Sequence, residues 1–181
     1  MAAKPNVTLD EFLVMEETKP YSEFANGVVF QKSGGDWPHA AVQVFFISAL
    51  FEFQQRANLG QALPELLCIF GRQGNERAYV PDIVYVAKER MTTDLYLRVA
   101  PDLAIEILSP DEDRARLVDK VQFYLLNGVR LVWAIAPDAQ AIAVLAAGQE
   151  GKTLYAGDTL DGDDVLPGFS VVVDEIFAKC R

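Results

Sequence analysis

Asp102-Leu103-Ala104-Ile105-Glu106-Ile107-Leu108 is the stretch on which the fold turns. Read as a β-strand, it puts Leu103, Ile105 and Ile107 on one face and Ala104, Glu106 and Leu108 on the other. Ser109-Pro110 closes the strand, and Asp111 or Asp113 can cap a helix reaching Asn127, where Gly128 supplies the stop. Leu131-Val132-Trp133-Ala134-Ile135-Ala136 follows as a strand without polar alternation, which implies that both of its faces are covered. A strand, a helix and a doubly covered strand in succession predict an α/β fold with a mixed central sheet flanked by helices.

Toward the N-terminus, strands are expected at roughly 65–70 and 79–86, joined by a charged turn over 71–77. A long helix begins at Asp36 or Trp37, with Pro38 in its first turn, and stops near Asn58-Leu59-Gly60. Before it, Asn26-Gly27 between Tyr21–Ala25 and Val28–Phe30 signals a hairpin. Thr8-Leu9-Asp10-Glu11 has the form of a capping box opening a short helix to about Glu17. Toward the C-terminus, strands are expected at 141–145, 152–155 and 169–173. Asp161-Gly162 reads as a turn, and Asp174 as the cap of a last helical turn through Phe177. With no repeat, low-complexity tract or linker, residues 1–181 read as a single domain.

Composition narrows the function. Half of the 181 residues are apolar (51%), and a chain of this length buries roughly 70% of its unfolded surface without disulfide staples. Cys68 and Cys180 match no metal spacing; Cys68 lies in an apolar run and reads as a buried inert thiol, Cys180 as a loose surface one. The opening Met1–Asn6 leads into an amphipathic helix rather than an apolar leader, and the apolar stretch Ala40–Phe53 is too short and too often interrupted to span a bilayer. A cytoplasmic protein that makes no membrane contact is expected. With 26 acidic against 16 basic residues, the net charge is −10. Such a surface gains nothing from counterion release on nucleic acid, so any nucleic-acid function needs a local reversal of the field.

Three side chains carry the chemistry. Glu106 is a carboxylate among apolar neighbours, and burying it ionised without a partner costs several kcal/mol. It needs a cation, a basic side chain or a raised pKa; a salt bridge holding a helix to the sheet would serve equally. Asp82 follows Pro81 at the mouth of a β-rich run, where it could also be a turn cap. Leu117, Lys120, Val121 and Tyr124 share one helical face, so Lys120 lies on the stripe that packs inward, unless its stem snorkels to solvent. Two acids and a lysine at one place suit metal-assisted phosphodiester hydrolysis: Asp82 and Glu106 as oxygen ligands of Mg²⁺ or Mn²⁺, Lys120 orienting or deprotonating water.

The same residues carry a resemblance. Val80-Pro81-Asp82, Glu106-Ile107-Leu108-Ser109-Pro110, Lys120 with Tyr124, Gly128-Val129 and Trp133 resemble the Uma2 family, as do Glu23-Phe24-Ala25-Asn26-Gly27 and Leu166-Pro167-Gly168-Phe169. The likeness covers nearly the whole chain and implies the PD-(D/E)XK restriction-endonuclease fold. It makes Asp82 and Glu106 the acids of the two motifs and the backbone carbonyl of Ile107 a third ligand. It also implies that Glu23 approaches the metal cluster and that His39 belongs to the site. Both have plainer readings, Glu23 as a solvated strand residue and His39 as a packed or surface one. In the general nuclease pattern a lysine stands two residues after the glutamate; that place is Leu108 here, and Lys120 looks like its replacement.

A Mg²⁺- or Mn²⁺-dependent endonuclease acting on nucleic acid, DNA in the first instance, is therefore expected. Its rival is a non-catalytic module of the same fold, in which Asp82, Glu106 and Lys120 form only a buried ion-pair cluster. A homodimer is expected: the resemblance implies it, since nuclease folds of this kind often pair to reach both strands, and on the rival reading the apolar helix over 40–53 could pair with a copy of itself.

Overall fold

A computed structural model describes residues 7–178, so Cys180 lies outside the described residues. The chain opens with α1 (Leu9–Leu13), and the Thr8–Glu11 capping box is present. α1 is shorter than expected, and Val14, where it stops, stands exposed. The hairpin β1 (Ser22–Ala25) and β2 (Val28–Gln31) turns through Asn26 and Gly27, both at positive φ (53° and 75°), as a two-residue primed turn requires. α2 (Trp37–Ala57) is capped by the Asp36 carboxylate, which accepts from the His39 N–H at 3.0 Å. Its left-handed stop is Asn58, at φ 52°, so Gly60 is released to begin β3 (Gly60–Pro64), a strand the sequence did not announce.

The expected strand over 79–86 is two strands. β4 (Cys68–Phe70) and β5 (Arg77–Tyr79) join β1 and β2 in a four-stranded sheet ordered β2-β1-β5-β4. After Val80-Pro81-Asp82 the chain enters β6 (Ile83–Ala87), which belongs to the other sheet. Pro81 has no N–H for a ladder, so the break between the sheets falls there. β7 (Leu103–Ile107), α3 (Arg114–Leu126), β8 (Leu131–Ala136), β9 (Ala141–Ala146) and β10 (Lys152–Leu154) follow. They complete a six-stranded sheet ordered β10-β9-β8-β7-β6-β3. It is mixed: β7 and β8 run parallel, bridged by α3, while the other pairs are antiparallel. Gly128, at φ 106°, ends α3 as expected. Asp161-Gly162 proves to be part of β11 (Thr159–Gly162), paired with β12 (Leu166–Val172); the reversal comes after it, through Asp163 at φ 46°. Asp174 does not cap α4 (Val173–Phe177); its carboxylate accepts instead from the Gly157 N–H at 2.6 Å.

The two faces of the six-stranded sheet are distinct. Leu103, Ile105 and Ile107 meet Val42, Phe46 and Leu50 of α2, with Trp133 and Ile135 of β8. On the other side Ala104, Val84 and Val132 meet Leu117, Val121 and Tyr124 of α3. Glu106 belongs to this second face by strand alternation. α2 buries His39, Val42, Phe46, Leu50 and Phe53, steps of three and four that define one helical stripe. Phe46 is fully buried and lies 5.6 Å from Trp133 between ring centroids. Phe46→Ala is expected to cost about 3–5 kcal/mol in urea unfolding. Phe51→Ala, on the exposed side of the same helix, is expected to stay within about 0.5 kcal/mol. Equal losses would contradict the stripe.

Candidate functional site

The β6–β7 register sets two carboxylates side by side. Ile83 pairs with Ile105 and Val84 with Ala104, so one further antiparallel step brings Asp82 across from Glu106. Residues directly opposed in such a pair have Cβ atoms about 4.5–5.5 Å apart, and like charges there repel. Asp82 is anchored to β7 by its Oδ2, which accepts from the Ile107 N–H at 2.6 Å. Its backbone carbonyl accepts from Gln43 of α2 at 3.1 Å and from the Glu65 N–H at 3.1 Å. Position 82 is thus held at the seam between the two sheets.

Each acid has a counter-charge. Lys120 reaches inward from α3 and donates to Glu106 Oε2 at 2.9 Å and to Glu23 Oε1 at 2.7 Å. The Tyr124 hydroxyl, one helical turn on, donates to Glu106 Oε1 at 2.8 Å. Glu23 stands on β1, and its Oε1 also accepts from the Val80 N–H at 2.9 Å. Lys32, just beyond β2, holds Asp82 Oδ1 at 2.6 Å. His39 presents Nε2 to the same oxygen at 3.4 Å and Nδ1 to Ser109 Oγ at 3.3 Å. Gly35 makes room for that imidazole, since a Cβ there would lie 2.9 Å from the ring. Glu23, Asp82, Glu106 and Lys120 are at most 4% exposed, and His39 8%.

The five residues singled out in the sequence, Glu23, His39, Asp82, Glu106 and Lys120, therefore line one cleft. Lys120 does not snorkel, and Glu23 is not a solvated strand residue. Lys32 was missed. It lies in a polar loop, and nothing local ties it to a carboxylate 50 residues away. Tyr124 was visible as part of an inward stripe, but its hydroxyl bond to Glu106 could not be inferred from periodicity.

Burial pushes the Glu106 carboxyl up to about 7; Lys120 opposes the rise, while Asp82 and Glu23 add to it. Burial acts on Asp82 in the same sense, yet the Lys32 ammonium and His39 hold its carboxyl well below the usual range. Burial disfavours a charged His39, but Asp82 outweighs this and raises its pKa. Lys120 is likewise raised against its burial by Glu106 and Glu23, so it holds its proton firmly.

Among the described residues, no three His, Cys, Asp or Glu side chains form a ready-made metal cage. The carboxylates of Asp82 and Glu106, lining the same cleft, are nevertheless of the type that suits a hard dication. Mg²⁺ commonly takes one or two carboxylates and completes its shell with water and substrate phosphate. The cleft itself is tight, about 10 Å³, room for one water at most.

The sequence pattern of the Uma2 family, described as "Putative restriction endonuclease", matches residues 9–174. The chain belongs to the Uma2 family. A crystal structure from Anabaena variabilis ATCC 29413, described as a "putative nuclease belonging to DUF820", superposes with a TM-score of 0.89. It is 27% identical over 97% of this chain and 99% of that one. No curated protein matches the sequence. This Uma2 chain thus has a nuclease-like fold, and no helix among its described residues is long and apolar enough to cross a membrane.

The titrations have opposite consequences for stability. Glu106 is raised from an ordinary 4.5 to about 7, so the folded state keeps a proton that the unfolded chain releases; the associated stability is lost as pH climbs through that interval. His39, also raised, loses its contribution as pH rises beyond its ordinary 6.5. The Asp82 contribution is present at neutral pH and lost only in acid. In EDTA, urea unfolding should show stability falling from pH 5 to pH 8, with a Glu106 share on the order of a few kcal/mol. Glu106→Gln should remove that share. A variant with the wild-type pH slope would refute the assignment.

Proposed function

We propose that this Uma2 chain is a Mg²⁺- or Mn²⁺-dependent endonuclease that hydrolyses phosphodiester bonds, with DNA as the first substrate to try. The observation that carries the reading is the meeting in one cleft of Asp82, which leads into β6, and Glu106 of β7, with the Lys120 ammonium on the second of them. Asp82 and Glu106 would hold the cation. Bound there, it would neutralise phosphoryl oxygens and acidify a water.

Lys120 acts as a proton-bearing group rather than a base. Two carboxylates hold its proton on, so its work is to orient a water or offset charge on the phosphate. Tyr124 fixes one Glu106 oxygen and Glu23 fixes the Lys120 amine, leaving the cluster little freedom to rotate. His39 steadies Asp82 from the start of α2. The overall acidity of the chain persists in the cleft, where Lys32, Arg116 and Lys120 face Glu23, Asp82, Glu106 and Glu112, so the bound cation would supply the local reversal of the field. A cytoplasmic setting and a homodimer complete the reading; exposed Trp37, Val44 and Phe51 on α2 support the pairing of two copies.

One observation favours a second reading. Both oxygens of Asp82 and of Glu106 already have partners in a cleft too tight for more than a single water. A module that has abandoned catalysis would keep the cluster as an internal ion-pair network.

Incubation with plasmid, single-stranded DNA and RNA in Mn²⁺ separates the two. On the enzymatic reading wild type cleaves at least one of them, and Asp82→Ala and Lys120→Ala each lower the rate by about 10²-fold or more. Cleavage that persists in both variants would belong to a contaminant. In parallel, millimolar Mn²⁺ should raise the melting temperature of wild type but not of Asp82→Ala. The absence of any metal-linked shift would favour the ion-pair module.

A further inference from the structure

We infer that Lys32 is the exchangeable counter-ion of the cleft: its ammonium holds Asp82 until a divalent cation takes that carboxylate, and it then leaves toward solvent. The inference rests on the reading of Asp82 as a metal ligand. The two lysines of the cluster are built differently. Lys120 rises from a helix, has a side chain that is 5% exposed, and is gripped by two carboxylates at 2.7 and 2.9 Å. Lys32 comes from the irregular segment between β2 and α2, is 12% exposed, and has one carboxylate partner among the described residues, Asp82 at 2.6 Å. Its backbone is tied down independently, by donation to the Tyr21 carbonyl at 2.8 Å, so the side chain can swing without unfolding the loop.

Space and charge point the same way. A cleft of about 10 Å³ cannot admit a cation with its waters unless a lining side chain moves, and Lys32 is the lysine of the pair with access to solvent. Of the side chains lining the cleft, Glu23, Asp82, Glu106 and Glu112 bring four negative charges when ionised; Lys32, Arg116 and Lys120 bring three positive ones. A dication that replaces Lys32 leaves the enclosed cluster neutral, whereas one that joined both lysines would leave it net positive with little water to screen it. Lys32 therefore competes with the metal for Asp82, and it keeps that acid paired when metal is scarce.

Calorimetric titration of MnCl₂ into wild type, Lys32→Gln and Lys32→Met, at one pH and ionic strength, tests the exchange. Both variants are expected to bind Mn²⁺ about tenfold or more tightly than wild type. Lys152→Met, on the remote strand β10, is expected to bind as wild type does. Lys32→Met should also melt earlier in EDTA and regain its loss in Mn²⁺, because Asp82, left with His39 and the Ile107 N–H, then has a full counter-charge again. Should both Lys32 variants fail to fold in EDTA, refolding on addition of Mn²⁺ would support the exchange, and persistent unfolding would overturn it. Equal affinities in wild type and both Lys32 variants would overturn the exchange while leaving the metal reading intact. So would a matching gain in Lys152→Met, which would reduce the effect to net charge. Absence of Mn²⁺ binding in every folded protein would overturn the metal reading itself, and the exchange with it.

Discussion

Two carboxylates shut away from water, one on the residue that leads into β6 and one within its neighbour β7, are the constraint around which this molecule is arranged. The pairing of β6 with β7 sets Asp82 opposite Glu106, and no adjustment within the sheet can separate them without slipping the register. A one-residue slip of β6 would also turn Ile83 and Tyr85 out of the core beneath α2, so the apolar pattern enforces the electrostatic conflict. The conflict is answered from outside the sheet. α3 sends Lys120 and Tyr124, the segment after β2 sends Lys32, and α2 sends His39.

Those answers also join the parts. Glu23 on the four-stranded sheet shares Lys120 with Glu106 on the six-stranded one, and it accepts from the Val80 N–H just where the chain passes between them. Pro81 makes the passage abrupt, so Asp82 emerges at the seam with its backbone carbonyl held by Gln43 and Glu65. Site and sheet junction are one structure. Loss of a single charge should therefore be felt in the docking of elements that are far apart along the chain.

Much of this was legible beforehand, for reasons that differ from residue to residue. Glu106 was visible because strand alternation leaves no solvent face for it, and Lys120 because helical spacing puts it beside Leu117, Val121 and Tyr124. Both inferences depend only on short-range periodicity, which backbone geometry fixes. Lys32 was invisible because its partner is set by the meeting of two sheets. β3 was missed because Gly60 and Pro64, its ends, are residues that usually interrupt strands; β6 recruits the segment through its free edge. The break at Val80-Pro81-Asp82 was under-read for the opposite reason. Apolar residues continue on both sides of Pro81, and only the sheet assignment shows that they serve different layers.

Stability alone gives no reason for such a cluster. Desolvating ionisable groups at the centre of a fold is costly, and buried ion pairs replaced by well-packed apolar side chains are often neutral or stabilising by about 1–4 kcal/mol. Leucine or methionine at positions 82, 106 and 120 would fill the seam without like charges in opposition. Hydrogen bonds from Tyr124, the Ile107 N–H and the Val80 N–H show how much of the surroundings is committed to keeping the acids in place. An arrangement that holds carboxylates where the fold would be easier without them stores negative charge at one defined point. On the proposed reading that stored charge, in a cleft also lined by Lys32, Arg116 and Lys120, would draw in a small hard cation and present it to a phosphate.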